Sequence, residues 1–333
     1  MRIALITDAW APQINGVVNA IRNVSRQLEA WGHTVLLVTP DQFRTVPCPT
    51  YPEIRLALVG PAQVGRRIEE FAPHSVHLMT EGPLCLAARS WCLRRGLPFT
   101  SAFCTNFPDY LRARTRIPAR FFWPYFRWFH GASSGTFGST ASVREKLAAQ
   151  RIASIRVWGR GVDLANFSPD TMPPEIYFTL PRPIMLYVGR IAVEKNVEAF
   201  LRCTHSGTKV LVGDGPARTA LQARHPEAHF LGVRRGRQLA AAYAGADVLV
   251  FPSRTDTFGV VMIEALACGT PVAAYPADGP RDVVGAGFGA LDENLDAAID
   301  RALACDRDAC AQYGRSFTWQ ASAQQFLDAL EPF

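Results

Sequence analysis

The sequence predicts an α/β protein built from two doubly wound parallel-sheet domains, and three observations carry that expectation. A chain of 333 residues with 48% hydrophobic residues is long enough for two cores at roughly 150 residues each. Short apolar, β-branched runs alternate with segments of helical periodicity in both halves. A stretch holding Pro169, Pro173, Pro174, Pro181 and Pro183 separates the two series. The expected division is a first Rossmann-like domain at 1–168, a linker at 169–183, a second Rossmann-like domain at 184–316 and a terminal segment at 317–333.

The elements follow in order. Residues 3–7 form an apolar strand, Pro12, Asn15 and Gly16 make a loop, and Val17, Val18, Ile21, Val24 and Leu28 recur at helical spacing. Gly32 stands where a helix C-terminal glycine belongs, and residues 34–39 restart as a strand. The grammar repeats from Pro183: strand 184–188, helix from about 196, strand 209–212, helix 217–223, a strand near Phe230, helix 238–244, strand 248–251, helix 260–267 and strand 272–274. Phe317, Ala321, Phe326 and Leu330 mark a last helix. Strands buried on both faces and joined by helices specify parallel sheets with right-handed crossovers. Ligands bind beyond the carboxyl ends of such strands, so two facing domains are expected to enclose a cleft that holds the chemistry.

Composition narrows the function. No apolar run reaches the roughly 20 residues of a membrane span, and the opening MRIALITDAW enters a strand pattern without a signal-peptide cleavage region, so a cytoplasmic location is expected. The eight cysteines are scattered without a C-x-x-C pair, which reads as reduced, mostly buried thiols. His74 and His77 would alternate to opposite faces of a strand, so no metal is expected there. The net charge of +6 is uneven: residues 1–170 hold 20 Lys+Arg against 11 Asp+Glu, and residues 171–333 hold 15 against 18. A basic first half suits an anionic membrane surface or acceptor, although a solvated arginine-rich face gives the same count. No recognised nucleic-acid motif accompanies it, so nucleic acid is not an expected partner.

Two segments carry candidate chemistry. LYVGRIAVEKN places Arg190 and Lys195 on the loop after a buried strand, where they could clamp a diphosphate, and the same spacing also suits two solvated cations. In FPSRTDTFGVVMIEALACGTPV, Asp256 precedes Glu264 by eight positions across a loop-to-helix transition. The backbone of Phe258, Gly259 and Val260 then lies at a helix N-terminus, where free N–H groups and the dipole favour phosphate oxygens. Glu264, one turn in, could accept hydrogen bonds from a ribose diol; a capping acid plus a surface glutamate is the alternative.

Taken together, GRGVD at 159–163, YVGR with Lys195, LVGDGP at 211–216, ADVLVFPS at 246–253, and TDTFG with Glu264 and GTPV resemble retaining glycosyltransferases of family four. The likeness covers nearly the whole chain and is close to the bacterial glycolipid-forming glucosyl-, uronosyl- and mannosyltransferases. It implies a glycosyltransferase-B fold, a nucleotide-diphosphate sugar as co-substrate, no cofactor and no metal. Carried over residue by residue, it implies that Arg190 and Lys195 hold the donor diphosphate and Glu264 holds the ribose. Asp256 with the Phe258, Gly259 and Val260 backbone meets sugar and phosphates, Val233 and Arg234 bracket the base, and Gly16 closes over the phosphates from the first domain. The NGVV loop and TNFPDYL, with Asn15, Asn106 and Asp109, fit the acceptor side, and the last helix is expected to cross back to the first domain. Transfer with retention, the departing phosphate helping to deprotonate the acceptor, also follows from the family.

One catalytic position departs from the pattern. Relatives usually carry histidine where this chain has Cys104, and a thiol is a weak donor that cannot hold positive charge. Loss of a preorganised donor is worth about 3 kcal/mol, or on the order of a hundredfold in rate. Asp256, where many members have glutamate, is a smaller departure.

For the acceptor, Arg112, Arg114, Arg116 and Arg120 lead into Phe121, Phe122, Trp123, Tyr125, Phe126, Trp128 and Phe129, a mixture suited to a membrane interface. The aromatics fall on nearly every side of a helix, so packing is expected for that second half and surface contact for the arginine-rich first half. The expected reaction is transfer of a hexose or uronic acid from a UDP-sugar or GDP-mannose to a hydroxyl, preferably of a membrane lipid such as diacylglycerol. The enzyme would then sit peripherally on the inner face of the cytoplasmic membrane. A soluble sugar acceptor, a nucleotide-sugar-binding protein without turnover and a sugar-nucleotide epimerase remain open alternatives.

Overall fold

The computed structural model describes residues 1–11, 15–48 and 51–333, so Pro12, expected in the first loop, lies outside the described residues. By packing, they form two units: Met1–Pro108, Pro118–Gly159 and Trp319–Phe333 in the first, Asp109–Ile117 and Arg160–Thr318 in the second.

The first unit runs β1 (Arg2–Ile6), α1 (Gly16–Ala30), β2 (Thr34–Val38), β3 (Thr45–Cys48), β4 (Tyr51–Ala57), α2 (Pro61–Phe71), β5 (Ser75–Leu78), α3 (Pro83–Arg95) and β6 (Thr100–Phe103). It continues with the start of α4 (Phe107–Thr115), then α5 (Trp123–His130), β7 (Gly135–Gly138), α6 (Ala141–Ala149) and β8 (Ile155–Val157). Its main sheet is parallel with order β2-β1-β5-β6-β7-β8, and β3 and β4 form a separate antiparallel pair. Asn15 caps α1, its side chain accepting from the Val17 and Val18 amides at 3.1 and 3.0 Å.

The second unit holds β9 (Ile184–Val188), α7 (Val197–Leu201), β10 (Thr208–Val212), α8 (Arg218–Arg224), β11 (His229–Gly232), α9 (Gly236–Gly245) and β12 (Val248–Phe251). There follow α10 (Val260–Ala267), β13 (Val272–Ala274), α11 (Asp278–Val283), β14 (Gly289–Leu291), α12 (Leu295–Leu303) and α13 (Arg307–Gly314). Its sheet, order β11-β10-β9-β12-β13-β14, is parallel throughout. Strand alternation feeds two cores: Ile184, Leu186 and Val188 join α9 and α10, whereas Met185 and Tyr187 join α7 and α12. The last helix, α14 (Trp319–Asp328), belongs to the first unit, where Trp319, Phe326 and Leu330 share a core with Ile3, Leu5, Ile21 and Leu28.

Three expectations are corrected. The first domain does not run to 168, because residues 160–168 fold with the second unit: Val162 bridges to Thr318 and Phe167 enters the second core. Nor is 169–183 a linker, since Tyr177 is buried in that core and a Cβ at Gly245 would meet Pro173 and Tyr177 at 2.7 Å. Aromatic burial there outweighs the proline-rich composition. On α5 the aromatics separate by face: Trp123, Phe126 and Phe129 are buried at three-residue spacing, while Tyr125 and Trp128 are exposed. The second half of that stretch is therefore not packing alone.

Candidate active site

The order of the second sheet reverses at β9, which lies between β10 and β12, the kind of switch point beyond whose strand ends α/β sheets bind ligands. Arg190 directly follows β9, and Lys195 ends a short 3-10 turn, Val193–Lys195, in the same loop. Asp256 stands on the loop after β12, before α10. These two loops bring Lys195 and Asp256 together, 61 residues apart in sequence, with Nζ 2.5 Å from Oδ1.

Glycine lets the adjacent strand ends approach closely. Gly189 (φ +150°) and Gly213 (φ +139°) end adjacent strands, and a Cβ at Gly213 would fall 1.9 Å from the Gly189 carbonyl oxygen. Gly259, at φ +82°, starts α10 and turns its first amides outward from the helix end.

A further group completes the cluster. Tyr110, on α4, accepts a hydrogen bond from Lys195 at 2.9 Å and donates to Asp256 Oδ1 at 3.3 Å. Burial disfavours the Lys195 ammonium, but Asp256 and Tyr110 outweigh it and hold the amine well above its usual value. Burial likewise works against the Asp256 carboxylate, and Lys195 reverses that, keeping the carboxyl below its usual value. Burial and the Asp256 charge push the Tyr110 phenol up to about 12, so it stays a donor. Next to them, Arg114 pairs with buried Glu194 at 2.8 Å, and Thr255 Oγ1 donates to the Glu194 carbonyl at 3.2 Å, tying the two loops together.

Glu264 lies one turn into α10, 8% exposed, and accepts from the Tyr243 hydroxyl at 3.0 Å. Burial pushes its carboxyl up to about 7 against the opposing pull of that hydrogen bond, with Asp163 adding to the rise. A carboxylate in this state sits ready for a second donor. Val233 and Arg234 follow β11 and are exposed.

The remaining expected residues lie elsewhere in the chain. Gly16 opens α1 in the first unit, and the side-chain oxygen of Asn15 caps that helix. Cys104 follows β6, half-buried against the first unit's core, and Asn106 is buried close by in sequence. Asp109, expected on the acceptor side, groups with the second unit and pairs with Arg112 at 3.6 Å. Sequence reasoning missed Tyr110, Glu194 and Tyr243, and it placed Arg114 among the surface-contact arginines, whereas Arg114 pairs with buried Glu194. Tyr110 stood inside the TNFPDYL motif, but nothing in the spacing of one helix shows that it reaches loops 85 and 146 residues away. Among the described residues, no group of three or more His, Cys, Asp or Glu side chains could hold a metal ion.

Comparison with known proteins bears on this geometry. Residues 14–166 match the model described as Glycosyltransferase Family 4, and residues 182–307 match Glycosyl transferases group 1. The chain is 35% identical over 308 residues to a GDP-mannose-dependent alpha-mannosyltransferase of Mycolicibacterium smegmatis, covering 85% of this chain and 82% of that protein. The chain belongs to glycosyltransferase family 4. This family 4 glycosyltransferase is also 27% identical to the alpha-monoglucosyldiacylglycerol synthase of Streptococcus pneumoniae, over 83% of its own length and 71% of the relative's. Its fold superposes on sucrose-phosphate synthase of Thermosynechococcus elongatus with a TM-score of 0.74 at 22% identity, covering 98% and 97% of the two chains. The glycosyltransferase-B architecture expected for the family 4 enzyme is thus present, two parallel-sheet α/β units included.

Proposed function

We propose that this glycosyltransferase moves a hexose or uronic acid, with retention, from a UDP-sugar or GDP-mannose to an acceptor hydroxyl, preferably that of a membrane lipid such as diacylglycerol. The observation that carries the donor half is the half-buried Lys195–Asp256 pair, with the α10 N-terminus and Glu264 following Asp256, at the sheet's switch point. A cation, a dipole end and a buried carboxylate acceptor match a diphosphate followed by a ribose. In this reading Arg190 and Lys195 neutralise the diphosphate, Glu264 accepts from the ribose diol, and Val233 and Arg234 flank the base. Asp256 with the Phe258, Gly259 and Val260 backbone faces the sugar, and the leaving phosphate takes the acceptor's proton. No metal is part of this reading.

The names of the mannosyltransferase and the diacylglycerol glucosyltransferase support the donor and acceptor classes. So do Phe121, 62% exposed, and Trp128, 53% exposed, beside arginines in the first unit, which suit peripheral contact with an anionic inner membrane face. No helix among the described residues is long and apolar enough to cross a membrane. Asn15, Asn106 and Asp109 remain the acceptor-side residues of this reading. Cys104 favours one second reading, donor binding with impaired turnover, because a thiol replaces the usual cationic donor.

The donor half is tested by calorimetry with UDP, GDP and ADP on the protein and on Arg190→Ala and Glu264→Ala. Micromolar binding of one diphosphate, weakened at least tenfold in each variant, is the expected result. Binding of no nucleotide overturns it. Tight binding with neither sugar transfer nor hydrolysis moves the second reading to the front.

A further inference from the structure

We propose that Tyr110 and Arg114, one turn apart on α4, are positioning residues that hold the donor-binding lysine and its carboxylate in register. The inference rests on the donor-site reading above, but it assigns a role to a helix that supplies none of the expected donor contacts.

The four-residue spacing puts both side chains on one face of α4, and each ends on a different part of the same pair of loops. Tyr110 bridges Lys195 and Asp256 at 2.9 and 3.3 Å, with the Lys195 ammonium 5.4 Å from its ring centroid. Arg114 pairs with Glu194, the residue immediately before Lys195, and Glu194 receives Thr255, the residue immediately before Asp256. Tyr110 therefore touches the charged pair, and Arg114 pins the backbone that carries both members.

The chemistry follows from charge balance. As drawn, the Lys195 charge is met by Asp256. An incoming diphosphate must draw the ammonium toward its own oxygens, and the half-buried carboxylate then loses part of its counter-charge. The Tyr110 O–H remains as a donor to that carboxylate, keeping it ionised and turned as it was. Such help is needed only when the terminal phosphate of the diphosphate engages Lys195. A nucleoside monophosphate, which lacks that phosphate, does not call on it.

The test compares nucleoside diphosphate with monophosphate binding, GDP with GMP or UDP with UMP, for wild type, Tyr110→Phe and Arg114→Lys. We expect Tyr110→Phe to weaken the diphosphate about tenfold and the monophosphate less than twofold, at an unchanged melting temperature. Arg114→Lys should show the same selectivity at smaller size, because a lysine keeps the charge but loses the guanidinium fork. Equal weakening of both nucleotides, or no weakening in Tyr110→Phe, overturns the positioning role while leaving the donor site intact. A wild type that binds no diphosphate overturns the donor-site reading, and this role with it.

Discussion

Glu264, the proposed ribose acceptor, shows how burial can make one carboxyl a stability term. Its carboxyl is pushed up to about 7, so the folded state holds this proton more tightly than the unfolded chain does. The sign follows: the contribution is fully present below the unfolded carboxyl range near 4.5, is lost as pH rises toward 7, and is flat above. Asp8 and Glu81, also raised by burial, tilt the curve the same way, so wild type alone does not isolate the term. Urea denaturation at pH 5 and pH 7.5 should show wild type losing about 2 kcal/mol more stability than Glu264→Gln, which cannot ionise. Identical losses would mean that Glu264 is hydrated and unperturbed. The type and location of this residue were legible from the TDTFG helix start. Its Tyr243 partner, 21 residues earlier on α9, was not, because only the packing of α9 on α10 brings them together.

At the scale of elements, the candidate donor loops depend on strand ends meeting without side chains. Gly189 and Gly213 were visible in YVGR and LVGDGP, but their mutual approach is a property of adjacent, parallel β9 and β10. Gly213→Ala puts a methyl 1.9 Å from a carbonyl oxygen at a φ that L-residues rarely adopt. The expected cost is about 2–3 kcal/mol, read as a lower melting temperature, together with weaker nucleotide binding as the loop after β9 is displaced. Gly96→Ala, with open space around the added carbon, serves as the control for φ strain alone. An equal penalty in both variants would remove the close approach as the cause. Helix α4 is the element that sequence reading placed least well. Its motif follows β6 in the chain, yet residues 109–117 pack with the second unit through Tyr110 and Arg114.

For the whole molecule, the charge asymmetry and the exposed aromatics make the membrane prediction. Phe121 and Trp128 project from the first unit, Arg120 lies over Phe121 at 5.1 Å, and Arg89 stacks on Trp128 at 3.9 Å. Flotation with phosphatidylglycerol vesicles at low salt should carry the protein up, and 0.5 M salt should release most of it. Phe121→Ser with Trp128→Ser should reduce the bound fraction severalfold without changing nucleotide affinity. Equal flotation with neutral phosphatidylcholine vesicles, or none with anionic ones, would detach the basic face from lipid binding and favour a soluble acceptor.

By itself the sequence determined the two parallel-sheet layers, the family and the residue types of the candidate donor loops. These are local quantities: apolar periodicity, glycine at strand ends, and short motifs whose members are neighbours in the chain. Only the tertiary structure decided where the units divide, which face of α5 is open, and that Tyr110, Lys195 and Asp256 share one charge cluster. Those outcomes depend on contacts between residues far apart in the chain, and no periodicity encodes which distant side chain answers a buried charge. The half-buried Tyr110 phenol is the case in point: its hydroxyl became informative only when two loops from another part of the chain met around it.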